Sequence, residues 1–141
     1  MLSPGQRLIA PLPVVVVART SAYGLSQAQR VAAVAASPDG FNVLERSALV
    51  VGLVLVADAP GRLPRPLVEL KHLVSGGYLR VWDVAWVEEW RLGDPPNQAN
   101  TPKDVRRLVK DLAALTLGSV IDLRSSLDYM AGHQQYQHNY R

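Results

Sequence analysis

The sequence predicts an α/β domain with a mostly parallel sheet of about three or more strands and helices on both faces, a Rossmann-like or P-loop-like half domain. Three observations predict this class. Two segments, Pro13–Ala18 and Ala48–Ala57, are apolar almost throughout, as in strands that are buried on both faces. A segment with helical spacing follows each of them. The resulting order β-α-β-α-β-α favours right-handed crossovers and hence a parallel sheet.

The first strand, Pro13–Ala18, is predicted to be central in the sheet because every position in it is apolar. A turn over Arg19–Gly24 follows. The first helix is then predicted to begin with the capping-box pattern Ser-Gln-Ala-Gln at residues 26–29 and to continue to about Ala36. The turn sequence Pro-Asp-Gly at residues 38–40 ends it.

The second strand, Ala48–Ala57, is followed by a second helix, for which Pro66 suits the first turn and Gly76-Gly77 the end. A third strand is predicted at Leu79–Ala85. The sequence Thr-Pro-Lys-Asp at residues 101–104 then combines an N-cap, a proline at the first helical position and an acid at the third. It predicts another helix, with an apolar stripe that continues to Leu115.

We expect one α/β domain over residues 1–118, followed by a C-terminal helix and polar tail over residues 119–141. Helical spacing of apolar residues continues from Ser119 to Ala131. The last segment, His133–Arg141, is polar and has no period, which is typical of a loose tail. A chain of 141 residues is in the size range of a single domain.

The composition excludes several classes of site. The chain has no cysteine, which excludes disulfides, thiolate nucleophiles and cysteine zinc sites. The longest apolar run, Ala48–Ala57, has about half of the roughly 20 residues that a membrane-spanning helix needs. The segment Leu8–Ala18 resembles a signal peptide, but Pro11 and Pro13 interrupt it. We therefore expect a cytoplasmic protein without a membrane span.

The loops that follow the three strands are the predicted ligand-binding region. In open parallel α/β sheets, ligands bind beyond the carboxyl ends of the strands, so we expect residues 19–25, 58–64 and 86–96 to share one edge. The candidate ligand-binding residues in these loops are Arg19, Thr20, Asp58, Arg62 and Trp86. The Asp58 carboxylate also has a simpler interpretation, since aspartate before Ala-Pro-Gly is ordinary turn chemistry.

Metal binding and acid–base catalysis find little support in the side-chain pattern. His72 has no metal-binding residue three or four positions away on the predicted helix. Glu88 and Glu89 are adjacent and therefore point apart on a helix or a strand, so we assign no catalysis to them. We predict no catalytic residue and no metal site.

Three tryptophans recur at a spacing of four residues. Trp82, Trp86 and Trp90 would align on one face of a helix as a partner or stacking surface. Because Trp82 belongs to the predicted third strand, that alignment fails. We expect core packing for at least two of them.

Three segments carry a resemblance to a known family: Val14–Ser21 (VVVVARTS), Leu53–Asp58 (LVLVAD) and Arg80–Trp86 (RVWDVAW). Together they resemble the C-terminal half of MinD/ParA-type P-loop ATPases, and more narrowly relatives of that group from high-GC bacteria and mobile elements. The resemblance spans Pro13 to Leu115. It implies that the loop after the second segment lies near a nucleotide base and that the loop after the third packs beside it.

Asp58 and Trp86 are the two positions to which the resemblance assigns a role. The family's decisive element is the loop G-x-x-x-x-G-K-[ST], whose backbone amides and lysine hold the phosphates. No Gly-Lys pair occurs in the 141 residues. Since phosphoryl transfer needs a phosphate cradle and magnesium, we expect that this chain alone is not an enzyme and uses no cofactor.

The sequence leaves three functions open. The leading hypothesis is a non-catalytic MinD/ParA-like protein-interaction domain in partition or mobile-element biology, with a protein partner or a homo-oligomer. A structural assembly subunit of a phage or mobile-element particle is the alternative, since the chain is small, carries a net charge of +3 and ends in a polar segment. The third is weak nucleic-acid binding through a basic helix face, although such faces are usually only solvated. That face consists of Lys103, Arg106, Arg107 and Lys110.

Overall fold

The computed structural model describes residues 11–43 and 45–115. The chain divides into a unit formed by Pro11–Val109 and a second unit formed by Met1–Ala10 and Lys110–Arg141. The architecture below is that of the first unit. The predicted helix from Ser119 to Ala131, the polar tail and the domain boundary at residue 118 lie outside the described residues.

The described elements alternate between strands and helices, which confirms the α/β class. The strands and helices predicted up to Leu115 recur in the predicted order, and residues 103–115 are helical as predicted. A two-residue strand and a four-residue helix, β2 and α3, were not predicted. In chain order the elements are β1 (Leu12–Arg19), α1 (Ala22–Ala36), β2 (Asn42–Val43), β3 (Arg46–Val56), α2 (Arg65–Ser75), β4 (Val81–Val84) and α3 (Glu88–Arg91).

The four strands form one mixed sheet in which β3 is central. β1 runs parallel to β3 along one edge, and β4 runs parallel to it along the other. β2 pairs antiparallel with the start of β3, through a tight turn in which Glu45 has a positive φ of 62°. The prediction of a mostly parallel sheet missed this hairpin, because two paired residues are too short to produce a pattern.

The predicted central position of β1 is wrong for the described sheet. β1 pairs with β3 on one side, and no described strand pairs with its other side. Val17 accordingly leaves 65% of its surface exposed. The longer β3 is the strand with partners on both sides, which explains why its second half, Gly52–Leu55, is buried.

The register between β1 and β3 shifts by one residue in the middle of the pair. Val14 lies opposite Val50, whereas Val15 lies opposite Gly52, so Val51 is an extra residue in β3. Gly52 has no room for a side chain. A Cβ atom built there would lie 2.4 Å from Cζ3 of Trp82. The glycine thus lets the indole ring lie against β3.

Helix α1 begins four residues earlier than the capping-box pattern at residue 26 predicts. Its N-cap is Ser21, whose side chain accepts a hydrogen bond from the Gly24 N–H at 3.0 Å. The early start requires a close approach, since a Cβ atom on Gly24 would lie 2.3 Å from the Arg19 carbonyl oxygen. The serine cap and the glycine together turn the chain from β1 directly into α1.

The core lies on one face of the sheet. Its fully buried members come from β3, α1 and α2, and the two helices contact each other there. We predicted helices on both faces of the sheet, but α1 and α2 both lie on the same face. Replacing a buried leucine of this core by alanine costs about 2–5 kcal/mol in general. The buried cluster consists of Leu25, Ala28, Leu53, Leu55 and Val74.

On the opposite face of the sheet, Val54 of β3 lies beside Trp82 of β4. Val54 is 5% exposed and Trp82 is 7% exposed. The three tryptophans do not share a helix, as predicted. Trp82 is in β4, Trp86 is in the following loop, and Trp90 is in α3. Trp82 is buried, whereas Trp86 and Trp90 are half-buried.

None of the helices within the described part of the chain is long and apolar enough to cross a membrane.

Candidate functional site

The carboxyl ends of β1, β3 and β4 are joined by backbone hydrogen bonds. The Thr20 N–H donates to the Val56 carbonyl at 3.0 Å, and the Ala57 N–H donates to the Val84 carbonyl at 2.9 Å. The first residues of all three loops therefore meet at one edge of the sheet. This convergence follows from parallel pairing, which brings the ends of β1 and β4 to the same end of β3.

Thr20 is the buried polar residue at this edge. Its side chain is 7% exposed, and Oγ1 accepts a hydrogen bond from the Asp58 N–H at 3.2 Å. A hydroxyl that accepts one hydrogen bond keeps its own O–H donor and a second lone pair. The threonine hydroxyl thus connects the first two loops through this one accepted bond.

The Asp58 carboxylate faces the guanidinium of Arg19 across a distance of 4.0 Å. The two side chains are 46% and 67% exposed, respectively. An exposed pair at this separation contributes at most about 1 kcal/mol to stability. Both charged groups therefore remain available to solvent or to a ligand.

An open groove of about 380 Å³ lies between the β3–α2 loop and the end of β4; we call it the edge groove. Residues from β3, from the loop and from α2 form its apolar walls, and five charged side chains line it. The volume is within the usual range for small-molecule sites. The charged residues are Asp58, Arg62, Lys71, Asp83 and Asp104.

Lys71 and Asp83 form the closest ion pair of the edge groove, with Nζ and Oδ1 2.6 Å apart. The lysine is 31% exposed and the aspartate 57%. Lys71 follows Leu67 by four residues, so both point to the same face of α2. Asp83 lies opposite Leu55 in the parallel register. This pair closes the groove on the side where α2 approaches β4.

Three of the predicted ligand residues line the edge groove: Thr20, Asp58 and Arg62. Lys71, Asp83 and Asp104 also line the groove, although the sequence pattern did not indicate them. Helical spacing from Leu67 was a usable signal for the lysine. The two aspartates come from β4 and from the start of the 103–115 helix, and only the tertiary fold brings them to the groove.

Trp86 does not line the edge groove. Its indole N–H donates to Glu88 Oε1 at 2.7 Å, and the Arg91 guanidinium lies 5.8 Å from the ring centre. Arg91 also bonds to Glu88 at 3.2 Å. The tryptophan thus belongs to a local cluster around α3, and the glutamate is engaged in the same cluster.

The predicted basic face is exposed and interrupted by acids. Lys103 and Arg107 line a second shallow groove together with Asp83 and Asp104. Arg106 is exposed. Lys110, also exposed, belongs to the second unit. Carboxylates beside the cations weaken attraction for phosphates, so the geometry within the first unit does not build a continuous basic patch.

Within residues 11–43 and 45–115, no group of three or more histidine, cysteine or acidic side chains is placed to hold a metal ion.

A second surface lies along the outer side of β1, and we call it the β1 edge. It is lined by apolar groups of β1 and α1 around a groove of about 340 Å³. Val17 is 65% exposed and Tyr23 75% exposed there. Arg19, at the carboxyl end, is the charged residue of the strand. A strand segment that has no charge and no neighbour on one side, such as residues 14–18, is a site where another strand can pair.

A protein-family model matches residues 5–110, which include the edge groove and the β1 edge. The chain belongs to a family of unknown function (DUF6668). No curated protein and no solved structure matches the chain. Both surfaces are thus parts of the DUF6668 region, and their chemistry has to be inferred from the residues themselves.

Proposed function

We propose that the chain is a non-catalytic α/β domain, with a MinD/ParA-like arrangement of strands, that acts by binding another protein through the β1 edge. The setting that the sequence resemblance favours is partition or mobile-element biology. The observation that carries the proposal is the position of β1, an uncharged strand core that leaves one side without a described neighbour.

The physical reason for a protein partner is the hydrogen-bonding requirement of a strand. Each residue of β1 other than proline carries a backbone donor and an acceptor, and those that point away from β3 need partners. Water satisfies them, but an added strand also buries the exposed side chain of Val17. Natural edge strands usually carry lysine, proline, bulges or covering loops that prevent this pairing, and residues 14–18 contain neither a charge nor a proline.

The non-catalytic part of the proposal rests on the composition of the edge groove. The hydroxyl of Thr20 is engaged with the Asp58 amide, and Lys71 is paired with Asp83. The sequence has no Gly-Lys pair that could hold phosphates. The groove residues therefore offer binding contacts rather than a nucleophile with an adjacent base.

Affinity capture with three versions of the intact tagged chain tests the proposal in extracts of the organism that encodes it. The versions are the wild type, Val17→Lys at the β1 edge, and Leu79→Lys as the control, since Leu79 is 94% exposed and outside β1. We expect a protein that is retained by the wild type and the control and is lost with Val17→Lys. With that protein purified, the dissociation constant is expected to rise at least about tenfold.

Two results would contradict the proposal. One is retention of the same proteins by all three versions, which would show that β1 is not the binding surface. The other is ATP hydrolysis by the purified wild type well above background, which would show that the domain is catalytic.

The edge groove favours a second function, the binding of a small planar ligand such as a nucleoside. Its apolar walls suit a ring, and Asp58 could accept hydrogen bonds from an exocyclic amine. Titration with adenosine, followed by amide chemical shifts, tests this function. We expect shifts at residues 58–64 that Asp58→Asn weakens and Asp39→Asn, an exposed control, leaves unchanged. Shifts spread evenly over the surface would exclude the groove.

A further inference from the structure

We propose that the strand bound at the β1 edge is β1 of a second copy of this chain, so that two sheets join into one through antiparallel pairing. The inference rests on the proposed function, because it names the partner of the same surface. It depends on the register of β1, on its charge pattern and on the space beside it.

Two prolines at the amino end of β1, one just before the strand and one within it, select which part of the strand pairs. Pro11 and Pro13 lack a backbone N–H and lie at the amino end, where they weaken a ladder. The segment Val14–Ala18 has a donor and an acceptor at every position. A two-fold axis normal to the sheet and passing beside Val16 keeps equivalent faces together in both copies. It sets Val15 opposite Val17 and Val14 opposite Ala18.

The charge pattern of β1 is compatible with self-pairing. Like charges directly opposite each other destabilise a strand pair, and the paired segment Val14–Ala18 has none. The one charge of β1 is Arg19. In this register it lies opposite Pro13, and its own chain already provides Asp58 at 4.0 Å. Two copies can therefore approach without bringing two cations together.

The surface next to β1 leaves room for the second copy. The groove of about 340 Å³ between β1 and α1 is lined almost entirely by apolar atoms, and Tyr23 at its border is 75% exposed. A neighbouring strand would bury Val17 and the tyrosine ring. An apolar partner strand fits this surface, and residues 14–18 of a second copy are apolar at every position.

Light scattering of the purified full-length chain over a range of concentrations is the first test. We expect a dimer whose dissociation constant rises about tenfold to a hundredfold in Val17→Lys, because a buried valine is lost and two cations are brought close. Leu79→Lys should dimerise like the wild type. Circular dichroism checks that each variant is folded.

Cysteine cross-linking provides a second test that does not depend on a charged variant. Because the chain has no cysteine, a single Val17→Cys substitution creates one reactive thiol. Antiparallel pairing about Val16 brings the two Val17 positions within two residues of one another across the dimer. The two positions are diagonal neighbours, about 7–8 Å apart, which is too far for a direct disulfide. A short bismaleimide reagent should therefore link two chains of Val17→Cys and should not link two chains of Leu79→Cys.

The outcomes separate this inference from the proposed function. If the wild type stays monomeric and Val17→Lys no longer captures a protein other than this chain, self-pairing is overturned and the proposed function stands. A dimer that is unaffected by Val17→Lys and not cross-linked through Val17→Cys would place the contact elsewhere and refute the inference. A monomer whose captured proteins do not depend on Val17 would refute both.

Discussion

Replacing Gly52 by alanine tests the packing of β3 against Trp82. The added Cβ would lie 2.4 Å from Cζ3, 2.9 Å from Cη2 and 3.0 Å from the Arg80 carbonyl oxygen. Carbon atoms in contact are normally about 3.5–4.0 Å apart, so the ring has to move by roughly 1 Å. The Arg80 guanidinium lies 5.5 Å from the ring centre, and Trp82 is 7% exposed. The ring therefore has little free space.

The expected loss follows from two opposing terms. Overpacking of this kind destabilises the folded state by about 1–3 kcal/mol. Replacing glycine also restricts the unfolded chain, which stabilises the protein by about 0.4–1 kcal/mol. We expect the free energy of unfolding of Gly52→Ala to fall by about 1–2 kcal/mol, with a melting temperature lower by roughly 4–10 °C. Urea unfolding followed by circular dichroism measures the first quantity, and calorimetry measures the second.

Gly76→Ala is the matched control. Gly76 has helical dihedral angles, with φ −64° and ψ −17°, and the nearest atom to an added Cβ is the Leu73 carbonyl oxygen at 3.4 Å. This variant should equal or exceed the wild type in stability. In a Trp82→Leu background, Gly52→Ala should cost less than it does in the wild type. Equal stability of the two glycine variants, or an unchanged cost without the indole ring, would refute the reasoning.

Two further predictions concern single hydrogen bonds. Thr20→Val removes the acceptor of the Asp58 N–H and should lower the free energy of unfolding by about 1–2 kcal/mol. Thr20→Ser keeps a hydroxyl and should retain most of the wild-type stability. A valine variant that is as stable as the wild type would show that this hydrogen bond is unimportant. Tyr78→Phe removes the hydrogen bond from Oη to the Ala28 carbonyl at 2.6 Å and should cost about 1 kcal/mol, while Tyr23→Phe, 75% exposed, should cost nothing. Burial raises the pKa of Tyr78 above 10.0, so the folded state holds that proton more tightly and wild-type stability should fall as the pH rises from 10.0 through the raised pKa. The phenylalanine variant should lack this part of the decline in urea titrations at successive pH values.

The strands and the long helices were predictable because their signals are local. Apolar runs marked β1 and β3, and the pair Gly76-Gly77 marked the end of α2, where Gly76 is the C-cap. The start of α1 was mispredicted for an equally local reason. Both Ser21 and Ser26 can cap a helix, and the choice depends on the approach of Gly24 to the Arg19 carbonyl. That approach is a backbone contact between residues only five positions apart, and the spacing of apolar residues does not indicate it.

The edge groove was only half predictable. Parallel strands bring their carboxyl ends together, and this rule correctly placed Asp58 and Arg62 in the same loop region. It does not say which side chains approach from other elements. Lys71 reaches the groove from α2, and Asp83 comes from β4. Trp86 does not line the groove, and its indole ring contacts Glu88 and Arg91, which are only a few residues away.

The error about β1 is the most informative one for function. Uniform apolarity indicates a strand that loses water from both faces, and it does not distinguish burial within one chain from burial between chains. In the described structure β1 pairs on one side only, yet residues 14–18 have the uniformly apolar composition of a central strand. A strand that is permanently at an edge is normally protected by charge, proline, a bulge or a covering segment, and Pro13 gives such protection only at the amino end of β1. A neighbour that completes the sheet beside residues 14–18 would reconcile their composition with their position, and this is the physical basis of the proposal that β1 is a binding surface.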